Sequence, residues 1–162
     1  MTGAAPLGPR SSNLRIAKTF SERDRDRYKL ETFDYMAKYF ENSLAELAER
    51  HPGIEADFRR IDANRFTAAI YQNGKAAARC TVFMGGDRMM DSGIAFLFGE
   101  TTGGNSFNES LRVQADDQSM YLASMGMAAM SRRQGEEGKL TQEGAAELYW
   151  EMLIAPLQQQ SR

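Results

Sequence analysis

The chain has 162 residues, 42% hydrophobic and 26% charged, with a formal net charge of −2. That length suits one ordinary domain with a single core, and the composition is that of a globular chain, not a disordered one. The near-neutral balance gives no global pull toward nucleic acid or an anionic membrane, and no apolar run approaches the ~20 residues of a membrane span.

One cysteine, Cys80, excludes an internal disulfide framework and fits a reducing, cytoplasmic setting. Residues 1–20 hold Pro6 and Pro9 and few large apolar groups, so a flexible tail is expected. The tail lacks the basic start and apolar run of a secretory leader. Between Arg10 and Lys29 there are seven Lys/Arg against three Asp/Glu, a local charge of +4. The alternating R-D-R-D-R reads as a solvated helix face with internal pairs. Nucleic-acid binding would need interleaved aromatics, and Tyr28 alone stands nearby.

Ser21 followed by Asp24 makes a capping-box start for a long helix that His51-Pro52-Gly53 ends. Leu30, Phe33, Met36, Ala37, Phe40, Leu44 and Leu47 recur every three or four residues and predict one buried stripe. Tyr28, Tyr35 and Tyr39 fall together on another side of the same helix. A sheet can cover only one of these faces, so the tyrosine face is either ordinary surface or the contact for a second chain or protein partner.

Extended segments follow. I-E-A-D-F-R-R-I (54–61) alternates weakly. R-F-T-A-A-I-Y-Q (65–72), Asn73-Gly74 and K-A-A-A-R-C-T-V-F-M (75–84) form the clearest hairpin signal in the chain. A plain two-residue turn sets Ile70 against Ala77 and Phe66 against Thr81. Arg79 then shares a face with Phe66, Ala68, Ile70, Ala77 and Phe83, while Ala69, Tyr71, Ala78, Cys80 and Val82 line the other. Neither face is cleanly polar, which predicts cover on both sides or a bulge that shifts the register.

Residues 85–93 read as a loop, Ile94–Phe98 as a central strand and 101–105 as a glycine-containing turn. Phe107, Glu109, Leu111, Val113 and Ala115 alternate with polar residues, giving a half-buried strand over 106–115. A turn at 116–118 leads to a returning strand over 119–125. After an exposed loop around 131–139, Thr141 starts a final helix that is apolar over much of its circumference and that Pro156 is expected to end. The fold expected is α+β: an antiparallel sheet of about six strands with a long N-terminal and a C-terminal helix packed on it, one domain over 21–158, then a short tail.

Chemistry-bearing motifs are sparse. His51 is the single histidine, and its place at a helix C-terminus is favourable electrostatics, so no metal or other cofactor is expected. Cys80 lies mid-strand in an alanine-rich segment, the setting of an inert buried thiol, and no nucleophile elbow or phosphate-binding glycine loop occurs. Glu109 is the best acid–base candidate, since burial in an apolar row would favour its neutral form, with Arg79 as a possible partner. The bland alternatives are an edge charge or a structural ion pair. Seven methionines (84, 89, 90, 120, 125, 127, 130) cluster at strand ends and loops. Met89, Met90, Met127 and Met130 could present an adaptable apolar surface. The favoured expectation is a non-catalytic interaction or accessory domain, self-associating or protein-binding through Tyr28, Tyr35 and Tyr39 and these methionines. The competing one is a small-molecule binder or enzyme with a pocket between sheet and helices, using Glu109 and Arg79, with the 85–93 loop as a lid.

Overall fold

A computed structural model of the chain describes residues 8–84, 93–99, 108–124 and 138–160. Helix α1 spans Glu22–Arg50. Ser21 caps it in the expected way: its hydroxyl accepts from the Asp24 N–H, and the Asp24 carboxylate accepts from the Ser21 N–H. Two of the orphan donors at the helix start are thereby satisfied. Six strands follow: β1 (Ile54–Asp62), β2 (Arg65–Gln72), β3 (Lys75–Met84), β4 (Ile94–Phe98), β5 (Glu109–Ala115) and β6 (Met120–Ser124). Helix α2 (Gln142–Gln160) closes the order. The strands pair in sequence order as one antiparallel sheet, so the chain is an α+β fold of a six-strand meander and two helices.

The turn at Asn73-Gly74 has positive φ at both residues, 53° and 85°, as a tight hairpin of this hand requires. The register beyond it departs from the plain hairpin. Tyr71 pairs with Ala76 but Ile70 pairs with Ala78, so Ala77 is the extra residue of a bulge. One slipped residue turns every later side chain over. Ala78, Cys80, Val82 and Met84 therefore join Phe66, Ala68 and Ile70 on the helix-covered face. Arg79, Thr81 and Phe83 go to the second face with Thr67, Ala69 and Tyr71. The centre of this second face is buried as well, at Thr67, Ala69, Thr81, Phe83 and Ala95, so both the bulge and the cover on two sides are present.

The core lies between the sheet and the helices. Phe33 and Phe40 of α1 meet Phe66 at 5.4 and 5.3 Å between ring centroids, and Phe58 meets Phe66 from the other side at 5.3 Å. Thr141 caps α2 by accepting from the Gly144 N–H at 2.9 Å. From α2, Tyr149 sinks fully into the core and its hydroxyl donates to the Ile94 carbonyl at 2.5 Å. Burial, then the nearby Glu109 charge, pushes the Tyr149 phenol well above its ordinary pKa.

Two helical expectations need correction. Pro156 does not end α2, which continues to Gln160. Buried Leu153 and half-buried Leu157 pack on the core on either side of the proline, which offsets its missing N–H. Leu30, placed in the buried stripe of α1 by its spacing, is 51% exposed because it lies at the margin of the arc the sheet covers. Residues 8–20 form no helix or strand. Within them, Lys18 N–H donates to the Asp117 carbonyl (2.9 Å) and Arg15 pairs with the Asp117 carboxylate (2.9 Å) at the β5–β6 turn.

Candidate functional site

Two places carry polar groups that the sequence singles out or leaves unassigned: the interior around Glu109, and the outer edge of β1. Glu109 begins β5 and pairs with Phe96, which pairs with Val82 on the helix-covered face. It is 1% exposed, and Ser124 of β6 donates to its Oε2 at 2.5 Å. This part-buried bond ties β5 to β6. Arg79 sits on the opposite face of the sheet, exposed, with its guanidinium 5.8 Å from the Tyr71 ring centroid. Glu109 and Arg79 therefore do not converge, and the sheet itself lies between them. The bulge at Ala77 fixes which face Arg79 takes.

The three helical tyrosines also part company. Tyr39 is half-buried and its hydroxyl donates to the Glu147 carboxylate of α2. Burial, then that bond, raises its phenol pKa. Tyr28 is half-buried near the start of α2, where Gln142 donates to Thr32 at 2.8 Å. Burial, then Glu31, raises its pKa too. Tyr35, with its ring 5.9 Å from that of Tyr39, is 38% exposed. The second aromatic face of α1 is thus taken up largely by α2. Within-helix periodicity shows two apolar arcs but not which neighbour covers each.

Met89, Met90, Met127 and Met130 lie outside the described residues, as do 85–92 of the loop read as a lid and the turn at 101–105. Met84 is buried and Met120 half-buried. His51 caps α1, donating its backbone N–H to the Leu47 carbonyl at 3.2 Å, and Cys80 is fully buried. Among the described residues no three of His, Cys, Asp and Glu gather closely enough to hold a metal ion.

The feature that sequence reading passed over is β1. It is nine residues long and stands at one end of the sheet, and no described strand pairs with its outer side. The Asn73 N–H donates to the Gly53 carbonyl at 2.8 Å, which sets the phase of the ladder. Alternation then turns the N–H and C=O groups of Glu55, Asp57 and Arg59 toward β2, and those of Ala56, Phe58 and Arg60 outward. The side chains alternate the other way across the sheet. Ile54, Ala56 and Phe58 rest half-buried beneath α1, while Glu55, Asp57 and Arg59 stand exposed on the second face. A shallow groove lined by Ala48, Ile54, Glu55, Ala56, Asp57 and Tyr71 wraps this edge. The signal for an edge was present in the charges of I-E-A-D-F-R-R-I, which a central strand would not carry.

Against known proteins, residues 55–155 match the family model described as the Y4lF protein domain. The chain is 57% identical over 152 residues to the uncharacterized protein y4lF of Sinorhizobium fredii (strain NBRC 101917 / NGR234). The match covers 94% of this chain and 46% of that relative, so the chain spans about half the relative's length. No solved structure matches.

Proposed function

This chain belongs to the Y4lF domain family, and we propose that it acts as a non-catalytic interaction domain that binds polypeptide along the open edge of β1. The observation that carries this reading is the outward row of backbone donors and acceptors at Ala56, Phe58 and Arg60, beside a half-buried apolar strip. Such an edge is a template for an added strand: main-chain bonds supply affinity and alternate side chains supply selectivity. Pocket chemistry at Glu109 and Arg79 has no comparable support, because the first is sealed in the core and the second lies across the sheet.

Ala56→Pro tests the reading. Its N–H points away from β2, so proline removes an outward donor while leaving the β1–β2 ladder whole. Extended peptides selected from a random displayed library against the wild-type domain should lose binding to the Ala56→Pro protein. Binding that survives the substitution would refute the edge as the working surface.

A further inference from the structure

From the charge pattern of the same strand we infer that the polypeptide received by β1 is the β1 strand of a second copy of this chain. It pairs antiparallel about a two-fold axis at Phe58. The inference rests on the edge reading above and adds the partner and the register.

In an antiparallel pair the outward-pointing residues of one strand must meet outward-pointing residues of the other. An axis at Phe58 sets Phe58 opposite its own copy and Ala56 opposite Arg60 of the second copy. These three residue pairs exchange about six main-chain hydrogen bonds. The residues between them occupy the non-hydrogen-bonded positions, where facing side chains come closest. There Asp57 meets Arg59 of the second copy, and Arg59 meets its Asp57, so two symmetric ion pairs form on the exposed face.

Neighbouring registers lack this fit. An axis at Asp57 sets Asp57 against itself, and one at Arg59 sets Arg59 against itself. Like charges directly opposite oppose pairing, so the sequence blocks the slips on either side and admits the register between them. Within the described residues neither Asp57 nor Arg59 is engaged in an ion pair, whereas Arg60 is already held by Asp34 of α1 at 2.8 Å. The mixed signs on this edge thus serve self-recognition as well as exclusion of other strands.

A second observation agrees. Half-exposed Leu30 lies about 180° around α1 from Tyr39, which faces α2, so Leu30 points toward the β1 side of the molecule. A two-fold axis normal to the sheet brings this flank of α1 toward the same flank of its copy.

Charge exchange tests the register. Light scattering across a concentration series should show a dimer for the wild type. Asp57→Arg alone and Arg59→Asp alone should each weaken it roughly tenfold or more, since each turns two attractions into two repulsions. Mixing these two variants restores both pairs and should give a heterodimer, and the double variant Asp57→Arg/Arg59→Asp should dimerise with itself. Both side chains are exposed, so folding is preserved, and circular dichroism checks it. A wild type that stays monomeric at every concentration overturns the second-copy assignment, as does a dimer indifferent to both single swaps. Either result leaves the edge reading to stand or fall on Ala56→Pro, so the two failures are told apart.

Discussion

The two ends of the sheet are finished in opposite ways. Beyond β6, five residues long, Leu122 and Leu140 exchange both main-chain hydrogen bonds, at 2.9 and 2.8 Å, and the Lys139 ammonium pairs with Asp116 at 3.1 Å. The N-terminal segment adds its bonds from Arg15 and Lys18 to Asp117 at the adjoining turn. Beyond β1, nine residues long, the described residues supply no such cover, and side chains of both signs stand along the rim. Free edges invite pairing, and proteins either cover them or guard them with charge. Here one end uses backbone cover and the other uses charge. Charge, unlike cover, still admits a strand with the complementary pattern.

The largest effect that sharpens this contrast is expected on the closed side. At Gly93, just before β4, an added Cβ would sit 2.1 Å from the Leu111 carbonyl oxygen and 2.8 Å from its carbon. Backbone atoms cannot step aside as a flexible side chain can, so Gly93→Ala should cost about 3 kcal/mol or prevent folding. Urea denaturation measures it, and a loss under about 1 kcal/mol would mean that the β4–β5 seam yields more than its geometry allows.

The same substitution at the two edges gives the next comparison. Leu140→Pro removes the N–H that bonds the Leu122 carbonyl and trims a half-buried apolar side chain, so about 2 kcal/mol should go. Ala56→Pro loses no ladder bond and should cost under about 1 kcal/mol. Equal costs in thermal or urea unfolding would erase the distinction between covered and open edge.

What could be read from the chain alone follows the range of the forces involved. Ser21 with Asp24, and Asn73 with Gly74, were legible because each acts within four residues on its own backbone. The antiparallel run of neighbouring strands was legible from the short connections. A bulge was legible from the mixed faces of the hairpin but its position was not: Ala76, Ala77 and Ala78 are the same size, so nothing local says which of them drops out of register, and the plain register put Arg79 on the wrong face. The tyrosines of α1 looked unpartnered because the helix that meets them, through Glu147 and Gln142, comes more than a hundred residues later. Glu109 stood out as the carboxylate in an apolar row and is buried, but Ser124, which donates to it, lies on the next strand and shares no periodic pattern with it. The open edge was encoded in the charges of β1. It went unread because a weakly alternating strand shows which face is wet and leaves its place in the sheet unstated.

The smallest predicted effect concerns the closed edge in acid. Asp116 accepts from the N–H groups of Gln118 (2.9 Å) and Ser119 (3.0 Å), and these bonds, followed by the contact with Lys139, hold its carboxyl down from 3.8 to about 2. A depressed pKa in the folded state means that the stabilisation is fully present above the unfolded value. It is lost as pH falls from near 4 through about 2. Protonation weakens the acceptor for two backbone donors and removes the counter-charge for Lys139, the residue just before the Leu122–Leu140 bridge. Amide exchange at Gln118, Ser119 and Leu140 should therefore quicken in that window, while the amides of the β2–β3 hairpin hold. Asp116→Asn should abolish the pH-dependent step, since its side chain no longer titrates. If the hairpin and the turn lose protection together in both proteins, acid is unfolding the whole domain and the Asp116 clasp is not what keeps this edge shut.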